Sequence, residues 1–216
     1  MNVEVTHNAN DQLLMGYAAG ILPEAFDLVM AAHIAISDEA RARFHSFEAV
    51  GGSVLDEKPT AEMDASAFDA VLARLDAPTA RSIEKTPKLE GVFPKPLQEY
   101  VGGDADAVKW RSIGMGVKQC ILPTQGEATA RLLYIPAGAA VPDHGHQGTE
   151  LTLVLQGAFS DEVDRFARGD LEIATEDLEH TPVADMGEDC ICLAATDAPL
   201  KFKSFIPRIM QPFLKI

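Results

Sequence analysis

His144, His146 and Glu150 are spaced for coordination chemistry: with Gly138 and Gly157 they spell G-x5-H-x-H-x3-E-x6-G. Strand side chains alternate with period two, so two histidines one residue apart face the same side. Glu150, four residues on, keeps the even spacing, and all three can converge on one point inside a barrel. Neutral imidazoles with a carboxylate suit Zn, Fe, Mn, Ni or Cu far better than Ca or Mg. The two glycines fall where a strand pair needs tight turns.

This string resembles the first signature motif of the cupins, and it matches without a gap. The second cupin motif, roughly G-x5-P-x-G-x2-H-x3-N, is degenerate here. Gly169 and His180 keep their places, while Thr175, Asp177 and Ala184 replace the proline, the second glycine and the asparagine. The resemblance implies that His180 supplies a fourth ligand from a neighbouring strand. The implied cofactor is a metal at His144, His146, Glu150 and His180, with zinc expected and Fe, Mn or Ni possible.

The elements that must position these residues change character along the chain. Asp11 to Gly20 has a polar start, Leu13, Leu14 and Tyr17 on one face, and a glycine stop. A second helix is expected from Pro23 to Ile36, with Phe26, Val29, Met30, His33 and Ile34 as its apolar stripe. A third is expected from Asp38 to Val50, ending at Gly51-Gly52, then a linker to Thr60. A fourth is expected over Ala61 to Leu75. From Asp76 to Pro96 the chain is rich in proline and charge and lacks periodicity, which marks a domain boundary. Beyond it, VKWRSI, VKQCIL, ARLLYIP, ELTLVLQG and CICLAAT read as short strands, with Trp110 and Tyr134 as barrel aromatics.

The expected architecture is mainly β with an α-helical N-terminal domain: a small helical bundle followed by a cupin-type β-barrel (jelly roll). The expected divisions are 1–76 helical, 77–96 linker and 97–216 barrel. Hydrophobic residues make up 47% of the 216, enough for a sizeable core. No apolar run approaches bilayer length, and MNVEVTHNANDQ lacks the features of a signal peptide. Three cysteines argue for a reducing, cytoplasmic setting. A net charge of -15 disfavours direct binding to nucleic acid or anionic lipid and favours a basic partner.

A cupin behind four helices is unusual, and the whole resembles the ChrR-type anti-sigma factors. The stretches that carry the similarity are LLMGYAAGILPEAFDLVMAAHIAISDEARAR, EAVGGSVL, VPDHGHQGTELTLVLQGAFSDEVDRF, LEHTPVADMGEDCICLAATDAPL and PRIMQPFLKI. The resemblance implies a cytoplasmic protein that sequesters an extracytoplasmic-function sigma factor through its helical domain, in a one-to-one complex. Its cupin domain would sense an oxidative signal such as singlet oxygen and trigger release.

The family's N-terminal zinc motif, H-x3-C-x2-C, reads His33-x3-Ser37-x2-Ala40 here. Alanine ligates nothing and a serine hydroxyl is a poor substitute for thiolate, so no zinc is expected in this domain, even with His7 as an additional ligand. Met63, Phe68, Val71, Leu72 and Leu75 form an apolar stripe for a sigma-factor helix, flanked by Glu57, Glu62, Asp64, Asp69 and Asp76. Cys190 and Cys192 share one strand face and read as core residues. The rival reading is a cupin metalloenzyme, of dioxygenase or isomerase type, carrying a degenerate anti-sigma domain. A third is a cupin that senses a small organic ligand.

Overall fold

The computed structural model describes residues 4–75 and 91–198, with the backbone of 201–202. Five helices come first: α1 (Asp11–Ala18), α2 (Glu24–Ile36), α3 (Asp38–Asp56), α4 (Ala67–Leu75) and α5 (Lys95–Val101). The side chain of Asn10 caps α1 by accepting the Leu13 amide at 2.9 Å. Pro23 opens α2, where its missing N–H costs nothing.

Three helical boundaries differ from the sequence reading. The third helix does not stop at Gly51-Gly52 but continues to Asp56. A helical glycine costs only about 1 kcal/mol against alanine, too little for two of them to end a helix already nucleated. The fourth helix starts at Ala67 instead of Ala61, because Asp64 turns the chain by accepting the Ser66 amide at 2.8 Å. Pro94 and Pro96, read as linker residues, stand at the N-terminus of α5, and Gly102 ends it at φ 83°. Positions 77–90 of the expected linker, Asp76 and the closing PRIMQPFLKI lie outside the described residues.

Among the described residues twelve strands follow, all pairing antiparallel. The largest sheet has the order β1-β2-β3-β11-β5-β8, formed by Arg111–Gly114, Val117–Leu122, Thr129–Ile135, Cys190–Thr196, Glu150–Gln156 and Leu171–Ala174. A second joins β10 (Val183–Ala184), β6 (Ala158–Ser160) and β7 (Arg165–Ala167). A third joins β12 (Lys201–Phe202), β4 (His144–Gly145) and β9 (Glu179–His180). This is the mainly β, cupin-like architecture with a helical N-terminal part that the sequence predicts.

The two faces of the large sheet explain why β5 and β11 are buried throughout, with only Gln156 at the end of β5 half-buried. On the outer face Leu132, Leu151, Leu153, Leu171 and Leu193 join Leu14, Val29, Met30 and Leu97 in one apolar cluster. Helix α2 lies against β3, β5 and β11, and α5 lies against α2. Each leucine so buried contributes roughly 2 kcal/mol, so the helices are part of the barrel's core. On the inner face Arg131, Thr152 and Glu172 lie in one cross-strand row, Thr129, Thr196 and Glu150 in the next. The sheet is oily outside, while its inner face carries these two polar rows beside the apolar Leu133, Val154 and Cys192, which suits a polar site at the barrel's centre. No described helix is long and apolar enough to cross a membrane.

Candidate metal centre

Pairing of β4 with β9 sets His144 directly opposite His180. His146 follows β4 at the same parity, before a turn that leads into β5 and Glu150. The three rings turn their Nε2 atoms toward one point. His180 Nε2 lies 3.2 Å from His144 Nε2 and 3.3 Å from His146 Nε2. All three histidines are buried.

The fit to a metal follows from these distances. With Zn–N bonds of about 2.0–2.1 Å, tetrahedral ligands stand about 3.3–3.4 Å apart, close to the separations found. The second nitrogen of two rings is tied outward. His144 Nδ1 is 2.8 Å from the Pro142 carbonyl and His180 Nδ1 is 2.9 Å from Asp161 Oδ2. Each therefore donates from Nδ1 and turns Nε2 inward, the nitrogen a metal would take in place of a proton. Three imidazole nitrogens facing one another in a dry barrel crowd lone pairs or protons together, and one cation between them removes the conflict.

Glu150 stands at the edge of this triad. Its Oε2 is 3.8 Å from His146 Nδ1, and Thr152 donates its hydroxyl to Oε1 at 3.1 Å. His146 Nδ1 is buried with no hydrogen-bond partner. Among the described residues, the histidine atoms form a group within 4.8 Å of one another, and His180 shares a second such group with Asp161 and Glu172.

Electrostatics treat the three rings differently. Burial pushes the pKa of His144 and of His146 down. Burial would do the same to His180, but Glu172 and Asp161 overcome it and hold that ring up at about 9. Glu172 Oε1 is 3.1 Å from His180 Nδ1, within ion-pair range but out of line for a hydrogen bond, since the N–H points at Asp161. Its own pKa is raised by burial. Carboxylates behind a ligand histidine fix its ring and increase its basicity. The sequence reading missed both: Glu172 as the acid at the inward position between Leu171 and Ile173, and Asp161 within a turn, where sequence carries no signal.

Cys190 and Cys192 lie nearby with sulfurs 3.5 Å apart, packed with Val154 and Phe159. The Cys190 sulfur and burial push the Cys192 thiol well above its ordinary value, which makes it a weak nucleophile.

The helical positions tell a different story. His33 is fully buried, accepts the Ala9 amide at Nε2 (3.1 Å) and donates from Nδ1 to the Gly169 carbonyl at 3.1 Å. Both nitrogens are consumed, and burial lowers its pKa to about 4. Ser37 caps α3, accepting the Ala40 amide at 3.1 Å, and donates its hydroxyl to Asn8 Oδ1 at 2.5 Å. His7 faces the barrel, with Nε2 3.1 Å from Asp164 Oδ2.

Met63, Phe68, Val71, Leu72 and Leu75 are all exposed, between 42% and 77%. Helix α4 has no buried residue, and Val50, Val54 and Leu55 at the end of α3 are exposed as well. Exposed apolar side chains grouped along a helix in this way mark a candidate contact surface.

Comparison with known proteins bears on both regions. Residues 98–199 match the family described as the ChrR Cupin-like domain. The chain is 54% identical over 212 residues to the Anti-sigma-E factor ChrR of Cereibacter sphaeroides, covering 98% of this chain and 99% of that one. It is also similar to a chain in the crystal structure of Rhodobacter sphaeroides SigE in complex with the anti-sigma ChrR. There the identity is 54%, the match covers 90% of this chain and 100% of that one, and the TM-score is 0.77.

Proposed function

We propose, on the premise that this chain belongs to the ChrR family of anti-sigma factors, that it sequesters an extracytoplasmic-function sigma factor in the cytoplasm and releases it on an oxidative signal. Near full-length identity to an anti-sigma factor makes it a regulator and not an enzyme, which sets aside the metalloenzyme alternative. The observation that carries the reading is the uncovered apolar surface of α4 and the end of α3, in a chain similar to one solved with SigE bound.

Val71 and Leu72 would insert into a groove on the sigma factor in the helix-in-groove mode. Glu57, Glu62, Asp64 and Asp69 around them would meet the basic surface that such a factor turns to promoter DNA. Occupying both surfaces keeps it from polymerase. At the other pole His144, His146 and His180, with Glu150 beside them, would hold a metal, and zinc suits the donor set. Bound there, the metal would cross-link β4 to β9 and supply a Lewis-acidic position inside the barrel. Asp161 and Glu172 would keep the His180 ring in place, and the apolar wall of Val154 and Phe159 would limit water.

The test is capture of the sigma factor from the protein's own cells on the tagged full-length chain, followed by affinity measurement with the captured factor. The double variant Val71→Asp/Leu72→Asp changes only exposed side chains, so the fold should be kept. Loss of two central apolar contacts should weaken binding by about a hundredfold or more. Unchanged affinity would overturn the docking surface.

A further inference from the structure

Residues 6–9, ahead of α1, lie along the β7 hairpin and touch both of its ends. At one end Asp170, buried, accepts the Thr6 amide at 2.7 Å, the His7 amide at 2.8 Å and the Thr6 hydroxyl at 3.1 Å and 3.2 Å. The Leu171 amide answers by donating to the His7 carbonyl at 2.9 Å. At the other end His7 pairs with Asp164, and its ring centroid is 4.5 Å from that of Phe166.

The same two ends hold His180 from the opposite side. Glu172 lies two residues after Asp170. Asp161 begins the turn that Asp164 closes, its amide donating to the Asp164 carbonyl at 3.1 Å. Past the arm, the Ala9 amide and the Gly169 carbonyl both bond His33, so α2 is tied to the same turn. A contiguous set of hydrogen bonds therefore runs from His180 through β7 and the arm into α2.

We propose that residues 6–9 are the element that transmits the state of the His144–His146–His180 centre to the helical module, with Asp170 as the positioning residue that clamps them. The inference rests on the reading of that centre as the sensing site. Asp170 is a buried carboxylate whose hydrogen bonds from Ala167, His7 and Thr6 keep its pKa low against the effect of burial. Unpairing a buried charge is strongly unfavourable, so the clamp opens as a unit and not bond by bond. That gives the arm two discrete arrangements, which coupling between distant sites requires. While the His180 ring is fixed, its Nδ1–H bonds Asp161 and its edge stays 3.1 Å from Glu172, and both ends of the hairpin stay set. Once the ring is freed, both ends loosen together and the grip on Thr6 and His7 weakens.

The clamp amides are themselves the probes. Site-resolved hydrogen exchange is measured on the full chain with and without bound zinc, zinc affinity being determined alongside by chelator competition. Zinc should slow exchange at Thr6, His7, Ala9 and Leu171 by roughly tenfold or more. Asp170→Asn should bind zinc as tightly yet lose that response, and with it any zinc effect on the Ser37 amide at the end of α2. Thr6→Val, which keeps the backbone bonds, covers the case of an unfolded Asp170 variant and should show a reduced response. Zinc binding that protects the barrel strands but leaves the four arm amides unchanged overturns the transmission role while the metal centre stands. Failure of the full chain to bind zinc removes the centre and the transmission role together.

Discussion

Two buried histidine sites, one in the barrel and one in the helical module, use the same side chain in opposite ways. In the barrel, His144 and His180 bond outward at Nδ1 and turn Nε2 inward, so the inner nitrogens converge. In the helical module, His33 gives both nitrogens to the backbone, one to Ala9 and one to Gly169. Burial is complete or nearly so in both places. What separates a candidate metal-binding histidine from one committed to the backbone is where its second nitrogen goes. At the helical end the hydrogen bonds of His33, with Ser37 capping α3, do the cross-linking that a structural ion would do elsewhere.

The sharpest way to test the contrast is to remove one ring from each site and measure zinc. Losing a partner behind a ligand typically costs 10–100-fold in affinity, so losing a ligand should cost more. His146→Ala should weaken zinc binding by on the order of a thousandfold, read by chelator competition. His33→Ala should leave zinc affinity and stoichiometry unchanged. A drop in stoichiometry with the second variant would sink the contrast, since it would make His33 a ligand.

The two sites also differed in how far sequence could read them. His144 and His146 were legible from strand parity, and His180 from its place in the motif that resembles the second cupin signature. The exposed stripe of α4 was legible from helical spacing. Asp161, Glu172 and Asp170 were not, because single acids in turns and strands have no periodic signature. The two hydrogen bonds of His33 reach residues 24 and 136 positions away, which no local pattern encodes. Gly51 and Gly52 misled for the opposite reason: a local stop signal was too weak against a helix already formed.

The next effect is in stability against pH. His33 is neutral in the fold with a pKa of about 4, lowered from 6.5 by burial, with Asp170 and Arg43 as the charges that act on it. Between those values the unfolded chain binds a proton that the native chain does not, so stability falls as pH drops from 6.5 toward 4. At about 1.4 kcal/mol per pKa unit the loss is roughly 3 kcal/mol. His33→Gln keeps a donor and an acceptor but does not titrate. Unfolding free energies from urea titrations at pH 7 and pH 4 should fall further for the wild type than for the variant by that amount. Equal slopes would mean that His33 does not titrate on unfolding.

The smallest effect isolates Ser37. Its hydroxyl links Asn8 of the arm to the first turn of α3 through the Ala40 amide. Loss of an N-cap typically costs about 1 kcal/mol, and Ser37→Ala should lower stability by that much with zinc affinity unaltered. Ser37→Asp restores an acceptor for the Ala40 amide and adds favourable charge at the helix start, but the carboxylate cannot donate to Asn8. Recovery of the full stability with Asp would assign Ser37 to capping alone. A persistent deficit would assign the remainder to the bond with Asn8, and so to the anchoring of the arm at the start of α3.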